Sequence, residues 1–186
     1  MIPRYTRPDM AKIWSDENRF QKMLEVEILA AEAMSQKGIV PKSAIANIRK
    51  RAKINRERIN EIELTVKHDV IAFLTQVGET IGPDARFLHL GLTSSDVLDT
   101  ALSVQLKEAC DLLLQDLNIL AGTVKKLASK YKFTPMMGRS HGVHAEPITF
   151  GFKVASWYTE VLRAKTLIEQ AREKIIYGKI SGAVGT

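Results

Sequence analysis

Ten consecutive residues, Gly138-Arg139-Ser140-His141-Gly142-Val143-His144-Ala145-Glu146-Pro147, gather two of the chain's four histidines, an arginine and a carboxylate. These side chains move protons or hold anions. The glycines and the proline among them mark a non-repetitive segment. Helical periodicity runs up to this stretch and resumes beyond it, the setting in which functional side chains usually sit. Related types recur in Lys67-His68-Asp69, at His89, and in Thr93-Ser94-Ser95-Asp96, so all four histidines fall in connections. Each group is expected at or beside a helix end. Free backbone N–H groups and the positive end of the helix dipole there favour phosphates and carboxylates and disfavour a charged imidazole. A histidine kept near neutrality in such a place can carry a proton.

Two other chemistries compete for the same residues. His141, His144 and Glu146 offer zinc-ligand types, but their spacing lacks the paired helical arrangement of His-Glu-x-x-His. Ser140 beside His141 suggests a nucleophile and its base, yet adjacent residues rarely reach the required hydrogen-bonded geometry and no nucleophile-elbow motif surrounds the serine.

Helices must position these groups. Ser15 followed by Asp16 and Glu17 starts one, with Phe20, Leu24, Ile28 and Ala31 on a single face and Gly38 as its stop. Pro41 suits the first turn of a second, through Ile45, Ile48 and Ala52. Asn55 caps a third, carrying Ile59 and Ile62, and Val70, Phe73, Leu74, Val77 and Ile81 define a fourth that Gly82-Pro83 closes. A connection from Asp84 to Leu92 then delivers the chain to a cap at Thr93-Ser94-Ser95-Asp96.

The helix that follows, from about Asp96 to Tyr131, carries Leu106, Leu113, Leu120 and Leu127 at seven-residue spacing beside Cys110, Leu117 and Val124. At 1.5 Å per residue it spans roughly 54 Å, too long for a compact domain of this size to wrap. Past Pro147, Val154, Val161, Ile168 and Ile175 repeat the spacing, with Phe150, Trp157, Ala164 and Ala171 as a second row. Two antiparallel helices cannot bury both seams, so other helices or other subunits must cover them and a homo-oligomer is expected. The expected architecture is all-α, with a small helical domain over residues 1–92 and the first part of a long-helix bundle over 93–186.

Composition sets the outer limits. The chain has 186 residues, 45% of them hydrophobic and 26% charged, as in a soluble globular protein. Cys110 cannot form an internal disulfide, no leader-like N-terminal segment is present and no apolar run is long enough to span a bilayer. A cytoplasmic protein without membrane contact is expected. The net charge of +6 points to anionic partners. The basic run Arg49-Lys50-Arg51-Ala52-Lys53 with Arg56 and Arg58 could track a phosphate backbone, but its inward isoleucines and lack of interleaved aromatics fit a solvated helix face. No nucleic-acid partner is expected. The glycine-rich segment 178–185 does not match the phosphate-binding glycine fingerprints.

Taken together, residues 138–147 and His89-Leu90-Gly91-Leu92-Thr93-Ser94-Ser95-Asp96-Val97-Leu98-Asp99-Thr100 closely resemble the adenylosuccinate lyases of the fumarase/aspartase superfamily. Pro3-Arg4-Tyr5, Lys67-His68-Asp69 and Lys179-Ile180-Ser181-Gly182-Ala183-Val184-Gly185-Thr186 match as well, so the resemblance covers the whole chain. Ser140 stands where the family commonly has threonine.

The resemblance implies elimination of fumarate from adenylosuccinate and from the related succinylated imidazole-carboxamide ribotide, without a metal or organic cofactor. In that pattern His141 is the general acid and His68 assists. Arg4, Tyr5, Lys67, Asp69, His89, Thr93 and Ser94 bind phosphate, ribose or succinyl carboxylates. Family members run to more than twice this length, form homotetramers with composite sites, and carry a Ser-Ser-x-Met-Pro-x-Lys-x-Asn loop that these residues lack. The expectation is therefore an N-terminal portion that is inactive alone. Argininosuccinate lyase and the muconate cycloisomerases share the long helices, but the Lys67-His68-Asp69 stretch favours the purine enzyme. A basic helical binding or assembly module is the reading from outside the superfamily.

Overall fold

A computed structural model describes residues 2–186. Among them are seven α-helices and one two-stranded hairpin, and the chain divides into two compact units, residues 1–106 with 176–186, and residues 107–175.

In the first unit a 3-10 turn at Pro3–Tyr5 precedes α1 (Pro8–Ile13), α2 (Asp16–Gln36), α3 (Lys42–Arg51), α4 (Arg56–Val66) and α5 (Asp69–Ile81); a second 3-10 turn, Pro83–Phe87, leads to α6 (Ser94–Lys130). Local chemistry sets the boundaries. The Ser15 hydroxyl accepts from the Asn18 N–H at 3.1 Å and starts α2. The helix ends in a Schellman closure: the Gly38 N–H donates to the Ser35 carbonyl and the Ile39 N–H to that of Met34, with Gly38 at φ +75°. Asn55 caps α4 by accepting from the Arg58 N–H. Pro41 falls one place outside its helix, as the N-cap of α3, so its fixed φ leads into the helix from the extended side.

The inward stripes meet in one core of Phe20, Met23, Leu24, Ile48, Ile59, Val70, Phe73, Val77 and Ile81, joined by Val97 and Ala101 from the start of α6. Phe20 and Phe73 stack with centroids 5.9 Å apart. Buried Gln76 closes the α3–α4 link, accepting from the Asn55 N–H and donating to the Lys53 carbonyl. The basic run is largely spent on acids and backbone of the same unit. Arg49 pairs with Glu32, Arg56 with Glu17, Arg58 forks onto Glu79, and Arg51 donates to the Thr80 carbonyl.

In the second unit, α6 and α7 (Phe150–Ile175) run antiparallel. Tyr131 meets Phe150 edge-on at one end of the pair, and Asp111 takes Arg172 at the other. Gly151 allows the tight approach: a Cβ there would fall 2.5 Å from the Ala128 carbonyl oxygen. The leucine seam of α6 is only partly covered, Leu113 and Leu120 remaining 41% and 47% exposed. The buried positions of α6 are Asp96, Val97, Ala101, Gln105, Ala109 and Ala121. Trp157 and Leu167 of α7 are likewise exposed. Among the described residues, no helix is long and apolar enough to cross a membrane.

Residues 135–149 correct the expectation of a non-repetitive segment. They form an antiparallel hairpin of β1 (Pro135–Ser140) and β2 (Val143–Thr149), with Met136 opposite Ile148 and Ser140 opposite Val143. A register shift between Met137 and Arg139 brings Gly138 against the opposite strand, where a Cβ would lie 2.4 Å from the Glu146 carbonyl oxygen.

Candidate active site

His141 and Gly142 are the whole turn of that hairpin, with φ of +53° and +77°. Positive φ at both central residues is what a primed two-residue turn requires. Glycine adopts it freely, and histidine is among the residues enriched there. The Arg139 guanidinium donates to the Gly142 carbonyl at 3.1 Å, steadying the turn from one strand. His141 is thus held exposed at a hairpin tip and not beside a helix end, so the helix-terminus argument for its protonation state does not apply to it. His144 and Glu146 lie along β2, and no group of three or more His, Cys, Asp and Glu side chains able to hold a metal occurs among the described residues.

The remaining site candidates belong to the first unit. Lys67 ends α4 in the left-handed conformation at φ +54°, and His68 at once opens α5 as its N-cap. The His68 Nδ1 accepts from the Ile71 N–H at 3.4 Å, which leaves Nε2 as the protonated nitrogen facing outward in the neutral ring. Asp69 Oδ1 accepts from the Val70 N–H at 2.8 Å, in the first turn of the same helix. Arg4 and Tyr5 sit in the N-terminal 3-10 turn with the guanidinium over the ring at 4.8 Å, and Tyr5 is largely exposed.

His89 is the third non-glycine residue at positive φ, +58°. It is gripped by Glu27, a residue of α2 with no solvent exposure. One Glu27 oxygen accepts from the His89 backbone N–H at 2.6 Å, and the other meets the ring Nδ1 at 2.6 Å.

Thr93 precedes the first residue of α6, and its N–H donates to Asp96 Oδ2 at 2.9 Å, one half of a capping box. The other oxygen of the fully buried Asp96 accepts from Lys179 Nζ at 2.8 Å and from the N–H groups of Ser181 and Gly182. Thr100 adds two hydrogen bonds to the backbone of Lys179. The glycine-rich segment is therefore tied onto the start of α6. The Lys179 ammonium, with the N–H groups of Thr93 and Ser181, holds the Asp96 carboxyl well below the usual carboxylate range.

The fold thus brings Lys67, His68 and Asp69 into one helix junction, and Thr93 and Ser94 beside the Asp96–Lys179 lock. His141 belongs to the other unit. The Lys67 ammonium and the Thr93 and Ser94 hydroxyls make no hydrogen bond or ion pair among the described residues. Sequence reasoning passed over Glu27 and Lys179. Glu27 had a signal: it lies seven residues after Phe20 on the apolar face of α2, where a carboxylate needs a partner. Lys179 opens a segment already marked as a motif, but nothing local points to its partner 83 residues away.

Known proteins resemble this chain along its whole length. A family model described as "Lyase" matches residues 4–186. Adenylosuccinate lyases of Synechocystis sp. and of Bacillus subtilis are each 52% identical over all 186 residues. The chain spans 43% of the length of these curated relatives. Among solved structures, a 3-carboxy-cis,cis-muconate lactonizing enzyme from Pseudomonas putida superposes with a TM-score of 0.90 at 33% identity, over 98% of this chain and 43% of that one. A fumarate lyase from Mesorhizobium sp. BNC1 gives 0.89 at 28% identity, over 95% and 43%.

Proposed function

The chain belongs to the lyase family across residues 4–186, and on that premise we propose that it forms the N-terminal part of an adenylosuccinate lyase. The reaction is elimination of fumarate from adenylosuccinate, leaving AMP, and from the related succinylated imidazole-carboxamide ribotide. A proton leaves the succinyl carbon next to the C–N bond, that bond breaks with its electrons going to nitrogen, and the nitrogen takes a proton. His141 is the donor of that last proton, a role its exposed place on a short turn suits. His68 assists by offering Nε2–H to the substrate. Arg4, Tyr5, Lys67, Asp69, His89, Thr93 and Ser94 hold the phosphate, ribose and carboxylates, and fixed donors around a developing dianion stabilise the transition state.

One observation carries this reading. The only non-glycine residues at positive φ among the described residues are Lys67, His89 and His141, and all three lie in the family's motifs. Backbone strain of this kind persists where function needs it. The 52% identity to the adenylosuccinate lyases, against 33% for the lactonizing enzyme and 28% for the fumarate lyase, favours the purine substrate over the other members of the superfamily.

The remaining parts of the site, including the serine base, come from further sequence and from other subunits. The exposed Leu113, Leu120, Trp157 and Leu167 fit a homotetramer whose helices cover them. We place the reaction in the cytoplasm, without metal or organic cofactor.

The test is a chimera in which this chain replaces the matching segment of the Bacillus subtilis enzyme. Fumarate release from adenylosuccinate, and none from argininosuccinate, is expected. A folded tetrameric chimera that is silent on adenylosuccinate overturns the proposal.

A further inference from the structure

The grip of Glu27 on His89 goes beyond what burying an acid requires. A single backbone N–H would satisfy one carboxylate oxygen; here the second oxygen is spent on the ring of the same residue, and both distances are 2.6 Å. Main chain and side chain of His89 are thus fixed from one point, at a residue whose φ is +58°. A carboxylate has only acceptors, so the ring nitrogen facing it must carry the hydrogen. That leaves Nε2 as the nitrogen able to meet a ligand, and the His89 side chain is 21% exposed against 0% for Glu27.

We propose that Glu27 is a positioning residue for His89, fixing the Nδ1–H tautomer and turning the Nε2 lone pair, or its N–H in the charged ring, toward the bound substrate. The inference rests on the reading of His89 as a substrate ligand. It adds a residue of the first unit's interior to the machinery and assigns opposite neutral tautomers to two histidines of that unit. His68 uses Nδ1 as a helix-capping acceptor and exposes Nε2–H; His89 spends Nδ1–H inward and exposes an acceptor. The pair can therefore meet a protonated and an unprotonated ligand oxygen with the appropriate partner, without either ring being charged.

The tautomer is directly observable. In the protein labelled with nitrogen-15 histidine, at a pH where the rings are neutral, the His89 resonances, identified by their loss in His89→Asn, should show Nδ1 protonated and Nε2 bare. In Glu27→Gln the amide oxygen can serve only one of the two His89 donors. With the backbone N–H keeping it, the NH2 group faces Nδ1 and the hydrogen moves to Nε2, so the two nitrogen shifts should exchange character while those of His68 stay put. An Nε2-protonated His89 in the unsubstituted protein overturns the inference, even if Glu27→Gln fails to fold. So does an unchanged pattern in a folded Glu27→Gln. Inorganic phosphate serves as the anion probe at a lower pH where the ring is charged and Nε2–H can donate: if the neutral tautomer is as expected but saturating phosphate leaves the charged His89 unmoved, the role of His89 as an anion ligand falls while its positioning by Glu27 stands.

Discussion

Lys179 Nζ lies 2.8 Å from Oδ1 of Asp96, a carboxylate with no solvent exposure that also accepts from three backbone N–H groups. This one side chain caps α6 and anchors the returning segment beyond α7. Its carboxyl is held below the usual range, so the sign of its contribution follows. A group whose folded pKa is depressed stabilises at pH above its unfolded value, here near 3.8, and the contribution is lost as pH falls from there toward the folded value. The thermal midpoint of the unsubstituted protein should therefore drop through the acid limb below about pH 4. Asp96→Asn should be less stable at neutral pH and lose less of its midpoint over that limb. Parallel midpoint–pH curves for the two proteins would refute the assignment.

Gly151 and Gly122 make a pair of opposite sign. A Cβ at Gly151 would sit 2.5 Å from the Ala128 oxygen and 2.6 Å from the Lys132 Cα, both backbone atoms that cannot swing aside. Gly151→Ala should cost about 1–3 kcal/mol, the usual scale of overpacking. Gly122 lies within α6 with nothing within 4 Å of its would-be Cβ. Gly122→Ala should stabilise by about 0.5–1 kcal/mol through helix propensity. Urea unfolding of the two variants checks both signs, and a tolerated Gly151→Ala would show that α6 and α7 can separate.

Much of this architecture can be read from local rules. Ser15, Gly38 and Asn55 cap or stop helices through bonds spanning three to five residues, and such signals survive in a single sequence. The hairpin escaped because its strands are short and barely alternate, and its one strong signal, a two-residue turn ending in glycine, has histidine where asparagine or aspartate is the familiar sign. On α6 the heptad leucines point to one inward face, yet the buried positions are Asp96, Val97, Gln105 and three alanines, at 101, 109 and 121. Small residues mark where a backbone approaches closely, which hydrophobic spacing alone does not reveal. The candidate residues stand out as motifs, while the contacts of Glu27 with His89 and of Lys179 with Asp96 span 62 and 83 residues.

The turn residue allows a clean separation of fold from chemistry. His141 needs both a positive φ and an imidazole, and asparagine keeps the first without the second. In the chimeric enzyme His141→Asn should fold and assemble normally while kcat falls by about 10²–10⁴-fold, the usual worth of a positioned proton donor. His141→Val should add a folding defect, because a β-branched side chain is strained at that φ. A His141→Asn enzyme with near-normal kcat would remove His141 from the proton-donor role.

The brevity of that hairpin has one more consequence. With two residues in the turn there is no slack, and side chains on a strand alternate faces at every step. Inserting a single residue at 141–142 would shift the strand register or enlarge the turn, and either change re-aims the imidazole. By contrast the connection at 37–41 closes α2 with its own hydrogen bonds and leaves Ile39 exposed at the surface. A reporter peptide or affinity tag therefore belongs at the α2–α3 bend and never at the hairpin tip.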